Sequence, residues 1–356
     1  MKQLHLFIST ESGDGACGHR RARVLTVAPK GVALMTAMIA VPMAPVAAAR
    51  AQQFDNRALC FASAGVSPQQ KLESCTAMIE AGSETPQNLA IAFVNRGNVH
   101  QNLKDYDHAI TDYDRAIAFN PTYALAFNNR GNAYVSLKDY DRAIADYDQS
   151  IAFNPRSALP FNNRGNVYGT LRNYDRAIAD YDEAIRLDPQ YSAGYSNRGW
   201  AYRNKGRYDR AIPDLDRSIE ITPNNALAFF RRGLTYQDKS QWDFDAYLNE
   251  GRYQDLAIRD YDETIRLNPK IAAAFNNRGL VYVSKRQYDR AIKDYDEALQ
   301  LDSENPVYFR NRGNAFRITG QYRNAIADFR KALTLKIDEP TKKQIETALK
   351  ELGVPR

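Results

Sequence analysis

Histidine and cysteine are scarce in this chain of 356 residues, which holds four of the first and three of the second. Acid–base, thiol and metal chemistry need such groups held at defined positions. His5, His19 and Cys17 fall within the first 51 residues, so the remainder keeps only His100, His108, Cys60 and Cys75. His100 reads as a packing residue and His108 as a solvated one. The sequence has no metal-ligand pair, no phosphate-binding glycine loop after a strand and no G-x-S-x-G elbow. Recurrent Asp-Tyr-Asp triplets such as Asp146-Tyr147-Asp148 resemble carboxylate pairs, but residues i and i+2 diverge on a helix. Asp146 is better matched to an arginine such as Arg130. No catalytic residue, metal or cofactor is expected, and neither is an enzyme.

Long apolar runs are missing too. The run from Gly31 through Val41 has eleven residues, whereas a helix needs roughly 20 to span a bilayer. Basic residues precede it (His19-Arg20-Arg21-Ala22-Arg23 and Lys30), Pro42 and Pro45 interrupt it, and small residues follow (Ala47-Ala48-Ala49-Arg50-Ala51). This is the order of a signal peptide over 1–51, cut after Ala49 or Ala51. An uncleaved anchor or a disordered leader is the alternative. The mature protein is expected to be periplasmic or secreted without stable membrane insertion, or cytoplasmic if the leader is misassigned. Strong charge is absent as well. The net charge is +6, of which +4 sits in residues 1–51 and +2 in the rest. That is too little and too dispersed for a nucleic-acid surface. Cys60 and Cys75 lie fifteen residues apart. With export, they invite a disulfide contributing about 3 kcal/mol in the chain-entropy model. Without export, they are two buried free thiols.

What the sequence has in abundance is repetition. Glycine recurs at Gly97, Gly131, Gly165, Gly199, Gly233, Gly279 and Gly313, spaced by 34 residues except for one step of 46. Alanine follows in step at Ala109, Ala143, Ala177, Ala211, Ala257, Ala291 and Ala325, and Pro121, Pro155, Pro189, Pro223 and Pro269 close the first five units. Each unit reads as two helices. Leu125, Phe127, Tyr134 and Leu137 form one apolar stripe, and Tyr140, Ala143, Ile144, Tyr147 and Ile151 form the next. Asn154-Pro155 stops the second helix, because the residue before proline disfavours the α region. Gly131 and Ala143 let the paired helices approach closely, and Phe127 and Tyr147 fill the space beside them. One such pair cannot bury its apolar face, but stacked pairs can.

This pattern resembles the tetratricopeptide repeat family, whose unit is 34 residues. The family's first-helix glycine and tyrosine match Gly131 and Tyr134. Its second-helix alanine and aromatic match Ala143 and Tyr147, its later alanine matches Ala184, and its closing proline matches Pro155. An aromatic such as Phe127 replaces the early tryptophan, and Ser303 and Ile337 replace the proline in the last two units. The resemblance implies an all-α, right-handed superhelical solenoid of seven repeats over 89–338. A divergent helical pair over 52–88 precedes the repeats, and an amphipathic capping helix over 339–356 (Ile345, Ala348, Leu349, Leu352) follows them.

The resemblance also implies that first helices line a concave groove. Asn95, Asn129, Asn163, Asn197, Asn277 and Asn311 share the slot two before the glycine. Asn98, Asn132, Asn166 and Asn314 share the slot after it, which Trp200 fills in the fourth unit. Amides offer both donor and acceptor, so this ladder is expected to hold an extended peptide backbone. Duplication alone would also repeat asparagines. Yet the slot of Asn102 has drifted through Ser136, Thr170, Asn204, Asp238, Ser284 and Ile318. A lysine at the slot of Val94, needed by the family's carboxylate clamp, is absent.

The fifth unit departs from the pattern. Its asparagine slot holds Arg231, next to Phe230, and it has twelve extra residues near 237–254 that include Trp242. Pro213, inside the preceding helix, is expected to kink it. The insertion is either a second contact surface or a lengthened hairpin packed on itself. The expected function is a scaffold for protein or peptide partners, without nucleic acid or small-molecule substrates. The alternative is an accessory or targeting module of one envelope enzyme.

Overall fold

The computed structural model describes residues 55–62, 64–242 and 250–354, with the side chains of 242 and 250 left aside. The expected signal peptide, most of the insertion's centre (243–249) and the Trp242 side chain therefore lie outside the described residues. Among the described residues every regular element is a helix. A short helix α1 (55–61) precedes α2 (Pro68–Ala81). Seven helix pairs follow: α3 (Pro86–Asn102) with α4 (Tyr106–Phe119), α5 (Ala124–Ser136) with α6 (Tyr140–Phe153), α7 (Ala158–Thr170) with α8 (Tyr174–Leu187), α9 (Ser192–Asn204) with α10 (Tyr208–Ile221), α11 (Ala226–Trp242) with α12 (Glu250–Leu267), α13 (Ala272–Ser284) with α14 (Tyr288–Leu301), and α15 (Pro306–Ile318) with α16 (Tyr322–Leu333). Helix α17 (Glu339–Glu351) closes the array. Each helix packs mainly on its neighbours in sequence, as in a superhelical solenoid. None of the described helices is long and apolar enough to cross a membrane.

Local chemistry sets each boundary. The first helix of a pair ends where one residue turns left-handed: Lys104, Lys138, Arg172 and Arg286, or Gly206 and Gly320. The next amide then folds back to the helix, as from Asp139 N to the Tyr134 carbonyl (2.9 Å), which satisfies carbonyls the helix leaves open. Asp105, Asp139 and Asn173 cap the second helices through their side chains. Helix α10 runs from Tyr208 to Ile221 with Pro213 inside it, so the proline removes one backbone donor without ending the helix.

Between the two helices of a pair, the glycine meets a large side chain. A Cβ on Gly131 would stand 2.8 Å from Tyr147 Cε1, and one on Gly199 would stand 2.9 Å from Leu215 Cγ. Tyr113, Tyr147, Tyr261, Tyr295 and Phe329 are fully buried in this slot, beside alanines of zero exposure. At the start, Cys60 and Cys75 form a disulfide inside a small core with Met78 and Ala92. At the end, Ile345, Ala348 and Leu349 of α17 cover Phe329 and Ala332 of α16. The described extra residues of the fifth unit extend its two helices. They lengthen α11 and α12 to 17 and 18 residues, and Tyr236 stacks on Tyr253 at 6.1 Å.

Successive first helices contact one another along the array, from α3 to α5 and on to α15, whereas successive second helices make no comparable contact. The layer in contact is the inside of the curve, so the first helices line the concave face.

Candidate groove and its buried clamps

Two sets of polar side chains recur through the array. The first is an arginine just before the glycine. Arg164 reaches forward to the second helix of its own unit, its Nε and Nη2 donating to both oxygens of Asp180 at 2.9 and 2.6 Å. Its Nη1 donates back to Asp148 of the preceding unit at 2.5 Å. The same double contact joins Arg130 to Asp146 and Asp114, Arg198 to Asp214 and Asp182, Arg232 to Asp260 and Asp216, Arg278 to Asp294 and Asp262, and Arg312 to Asp328 and Asp296. The Asp-Tyr-Asp triplet is thereby explained: its first carboxylate holds the arginine of its own unit and its second holds that of the next. Burial pushes the Asp180 carboxyl above its ordinary value, and the Arg164 guanidinium only partly offsets the rise. An aromatic three residues earlier covers each guanidinium, as Phe127 does Arg130 at 5.4 Å. At the array's start, Arg96 holds Asp112 in the same way but reaches Thr76 instead of an aspartate. Thr76 follows Cys75 as Asp114 follows Tyr113, so the disulfide occupies the slot of the buried aromatic.

The second set is the asparagines on the concave layer. Those two before the glycine are tied to neighbouring units. Asn95 Nδ2 donates to the Cys60 carbonyl (3.1 Å), Asn129 Nδ2 to Asn98 Oδ1 (2.9 Å), Asn163 Nδ2 to Asn128 Oδ1 (3.0 Å), Asn197 Nδ2 to Asn162 Oδ1 (2.9 Å) and Asn311 Nδ2 to Asn276 Oδ1 (2.8 Å). Asn277 accepts from its neighbour Asn276 at 3.1 Å. Asn128, Asn162 and Asn276, absent from the sequence-based selection, are therefore partners in this ladder. Their recurrence three residues before the glycine was the available signal.

The asparagines after the glycine are held differently. A buried tyrosine hydroxyl donates to Oδ1 of Asn132 (Tyr147, 2.7 Å) and of Asn166 (Tyr181, 2.9 Å), and that of Tyr113 lies 2.8 Å from Asn98 Oδ1. With each oxygen engaged from below, the Nδ2 groups of Asn98, Asn132 and Asn166 have no acceptor among the described residues. Asn314 lacks this arrangement, because Phe329 fills the tyrosine slot of its unit.

Around the fourth and fifth units the face changes character. Trp200 is covered by two guanidiniums, Arg203 at 4.6 Å and Arg231 at 5.6 Å. Arg231 Nη1 donates to Ser196 Oγ and Asn197 Oδ1, both at 2.8 Å, and meets no carboxylate among the described residues. Burial alone pushes its pKa down, to about 10. Phe230 does not join this group. It packs inward against Tyr261 at 6.0 Å.

The fold also brings together residues that the sequence left apart. His100 and His108 stack across the first turn at 5.3 Å, with Asp105 between them.

Family models described as tetratricopeptide repeat match residues 90–123, 112–145, 162–226, 272–305 and 311–336, and one described as TPR repeat matches 131–171. No curated protein matches the chain in sequence. Among solved structures, a tetratricopeptide repeat protein from Parabacteroides merdae aligns at TM-score 0.54 and 17% identity, covering 72% of this chain and 96% of its own. The Cut9–Hcn1 hetero-tetramer of the APC/C aligns at 0.59 and 17%, covering 84% and 55%. The human IFIT1 dimer with m7Gppp-AAAA aligns at 0.57 and 16%, covering 80% and 68%. One of these is a protein assembly and another holds capped RNA, so the shared fold alone does not select a ligand class.

Proposed function

The chain belongs to the tetratricopeptide repeat family, and from that premise we propose that it is a scaffold whose concave first-helix face binds an extended segment of a protein partner. The observation that carries this reading is the row of oriented amides on Asn98, Asn132 and Asn166. Each oxygen lies within hydrogen-bond distance of a buried tyrosine hydroxyl, and each amide nitrogen is a donor without an acceptor among the described residues. Carbonyl oxygens of an extended backbone are the complementary acceptors, and they occur whatever the side chains. Of the asparagines two before the glycine, Asn95, Asn129, Asn163, Asn197 and Asn311 keep the register of this face by bonding to the preceding unit, and Asn277 bonds Asn276 within its own. Arg231 beside Trp200 supplies a guanidinium that meets no carboxylate among the described residues, which fits an acidic group on the bound segment. The small net charge outside residues 1–51 disfavours a nucleic-acid ligand. No catalytic role is assigned to any of these groups. The Cys60–Cys75 bond supports residence in an oxidising compartment, periplasmic or extracellular.

The test is recovery of partners from cell-envelope extract with Asn98, Asn132 and Asn166 all changed to leucine. Leucine already stands in this slot as Leu280, above the buried Tyr295, so the fold accepts it. Partner recovery should fall by roughly tenfold or more, each lost hydrogen bond being worth about 1 kcal/mol. Undiminished recovery would sink the groove as the binding surface. A single enzyme captured in fixed ratio would instead favour an accessory module of that enzyme.

A further inference from the structure

We propose that His100, Asp105 and His108 form a binding site for a divalent transition-metal ion of the zinc and copper class. His100 lies in the last turn of α3, Asp105 caps α4, and His108 lies in the first turn of α4. The turn between them is pinned, with Asp105 N donating to the His100 carbonyl at 2.9 Å and Lys104 in the left-handed region. Both Nδ1 atoms therefore converge on one carboxylate: His108 Nδ1 lies 2.8 Å from Asp105 Oδ2, and His100 Nδ1 lies 3.3 Å from it. One ligand atom from each of the three residues falls within 4.8 Å of the other two. Metal bonds of about 2.0–2.1 Å place tetrahedral donors roughly 3.3 Å apart, so small rotations of the half-buried His100 and Asp105 and the exposed His108 suffice. Two imidazoles and one carboxylate are a donor set suited to zinc or copper. A water or a partner's side chain would complete the coordination.

The array itself contains the control. In the second, third, fourth and sixth units the slots of His100 and His108 hold tyrosine and arginine, and the guanidinium sits on the ring: Arg142 on Tyr134 at 4.4 Å, Arg176 on Tyr168 at 5.6 Å, Arg210 on Tyr202 at 5.8 Å, Arg290 on Tyr282 at 5.3 Å. The fifth unit pairs Tyr236 with Leu256 and the seventh Phe316 with Asn324, so the first unit is the one that carries histidine at either slot, and it carries histidine at both. A chelate of this kind needs an imidazole at both slots, which the first unit supplies. Asp105 itself is not peculiar to the first unit, since Asp139 holds the same place and accepts from Arg142 Nε at 2.6 Å. The paired histidines turn an ordinary cap carboxylate into a third ligand.

The experiment is equilibrium dialysis of the untagged, disulfide-bonded chain against Zn2+, with electron paramagnetic resonance of the Cu2+ form. The comparison variant is His100→Tyr/His108→Arg, which installs the pair found in the second unit and so should fold. The parent should bind one equivalent of Zn2+, and its Cu2+ spectrum should carry nitrogen couplings. The variant should lose that equivalent and those couplings, and Asp105→Asn should weaken Zn2+ binding by about tenfold or more. Parent protein that binds no Zn2+ at micromolar concentration would overturn the site. So would a double variant that retains the same equivalent.

Discussion

The first three repeats and the later ones share a frame and differ in what they place on it. In both regions an arginine before the glycine holds two aspartates and lies on an aromatic, from Arg130 to Arg312. Above that frame, the first three units carry a tyrosine hydroxyl under an asparagine. In the fourth unit Leu215 lies under Trp200, in the sixth Tyr295 lies under Leu280, and in the seventh Phe329 lies under Asn314. The contrast separates two causes of repetition. Side chains that bind unit to unit recur because the stack needs them at every step. Side chains that face the groove are free to change, so a run of three matched pairs is a property of that stretch.

The comparison can be broken most severely at the shared frame. Arg164→Ala in the third unit and Arg278→Ala in the sixth each strand a buried aspartate, Asp180 or Asp294. Each should cost about 3–5 kcal/mol, read as lost hydrogen-exchange protection in the mutated pair and its neighbours. Very unequal losses would mean that the frame is not shared. Reducing the Cys60–Cys75 bond should cost about 3 kcal/mol and expose α2, α3 and α4 to exchange while α13 to α16 stay protected. Gly165→Ala sets a Cβ 2.7 Å from Tyr181 Cε1 and should destabilise by about 1–3 kcal/mol.

The sharpest contrast is a matched pair of smaller changes. Tyr181→Phe removes a hydroxyl bonded to Asn166 and should lose about 1 kcal/mol. Tyr295→Phe removes a buried hydroxyl that has no partner among the described residues, and should be neutral or stabilising by up to about 1 kcal/mol. Equal effects in denaturant melts would remove the distinction between the two regions. Smallest of all, Lys138→Gly relieves a left-handed backbone at φ 63° and should gain about 0.5–1 kcal/mol, as Gly206 and Gly320 already do in their units.

Much of this was legible in the sequence because it is periodic. The spacing of Gly131 to Ala143 to Tyr147 announces two helices in close contact, and the capping stripe of Ile345, Ala348 and Leu349 shows where stacking stops. Pairing of Asp146 with Arg130 followed from helix geometry. The second arm, from Arg130 back to Asp114, did not, because it crosses between units and depends on their rotation. The roles within the asparagine ladder were hidden for a related reason. Asn129 and Asn132 are alike in composition, and only the Tyr147 hydroxyl below Asn132 distinguishes an amide that offers donors from one that bonds its neighbour. His100 and His108 were read one at a time, as packing and solvated, because eight residues of sequence conceal a turn that folds them onto Asp105. Pro213 was read as lying inside its helix, and α10 does run through it from Tyr208 to Ile221, the packing around Ala211 and Leu215 outweighing one missing donor.

The concave face of the first three repeats is the centre of this account, and cross-linking with mass spectrometry in the protein's own compartment tests it most directly. Bound segments should cross-link to residues on α3, α5 and α7, and those links should vanish when Asn98, Asn132 and Asn166 become leucine. Links concentrated on the second helices α4, α6 and α8, indifferent to those substitutions, would contradict it.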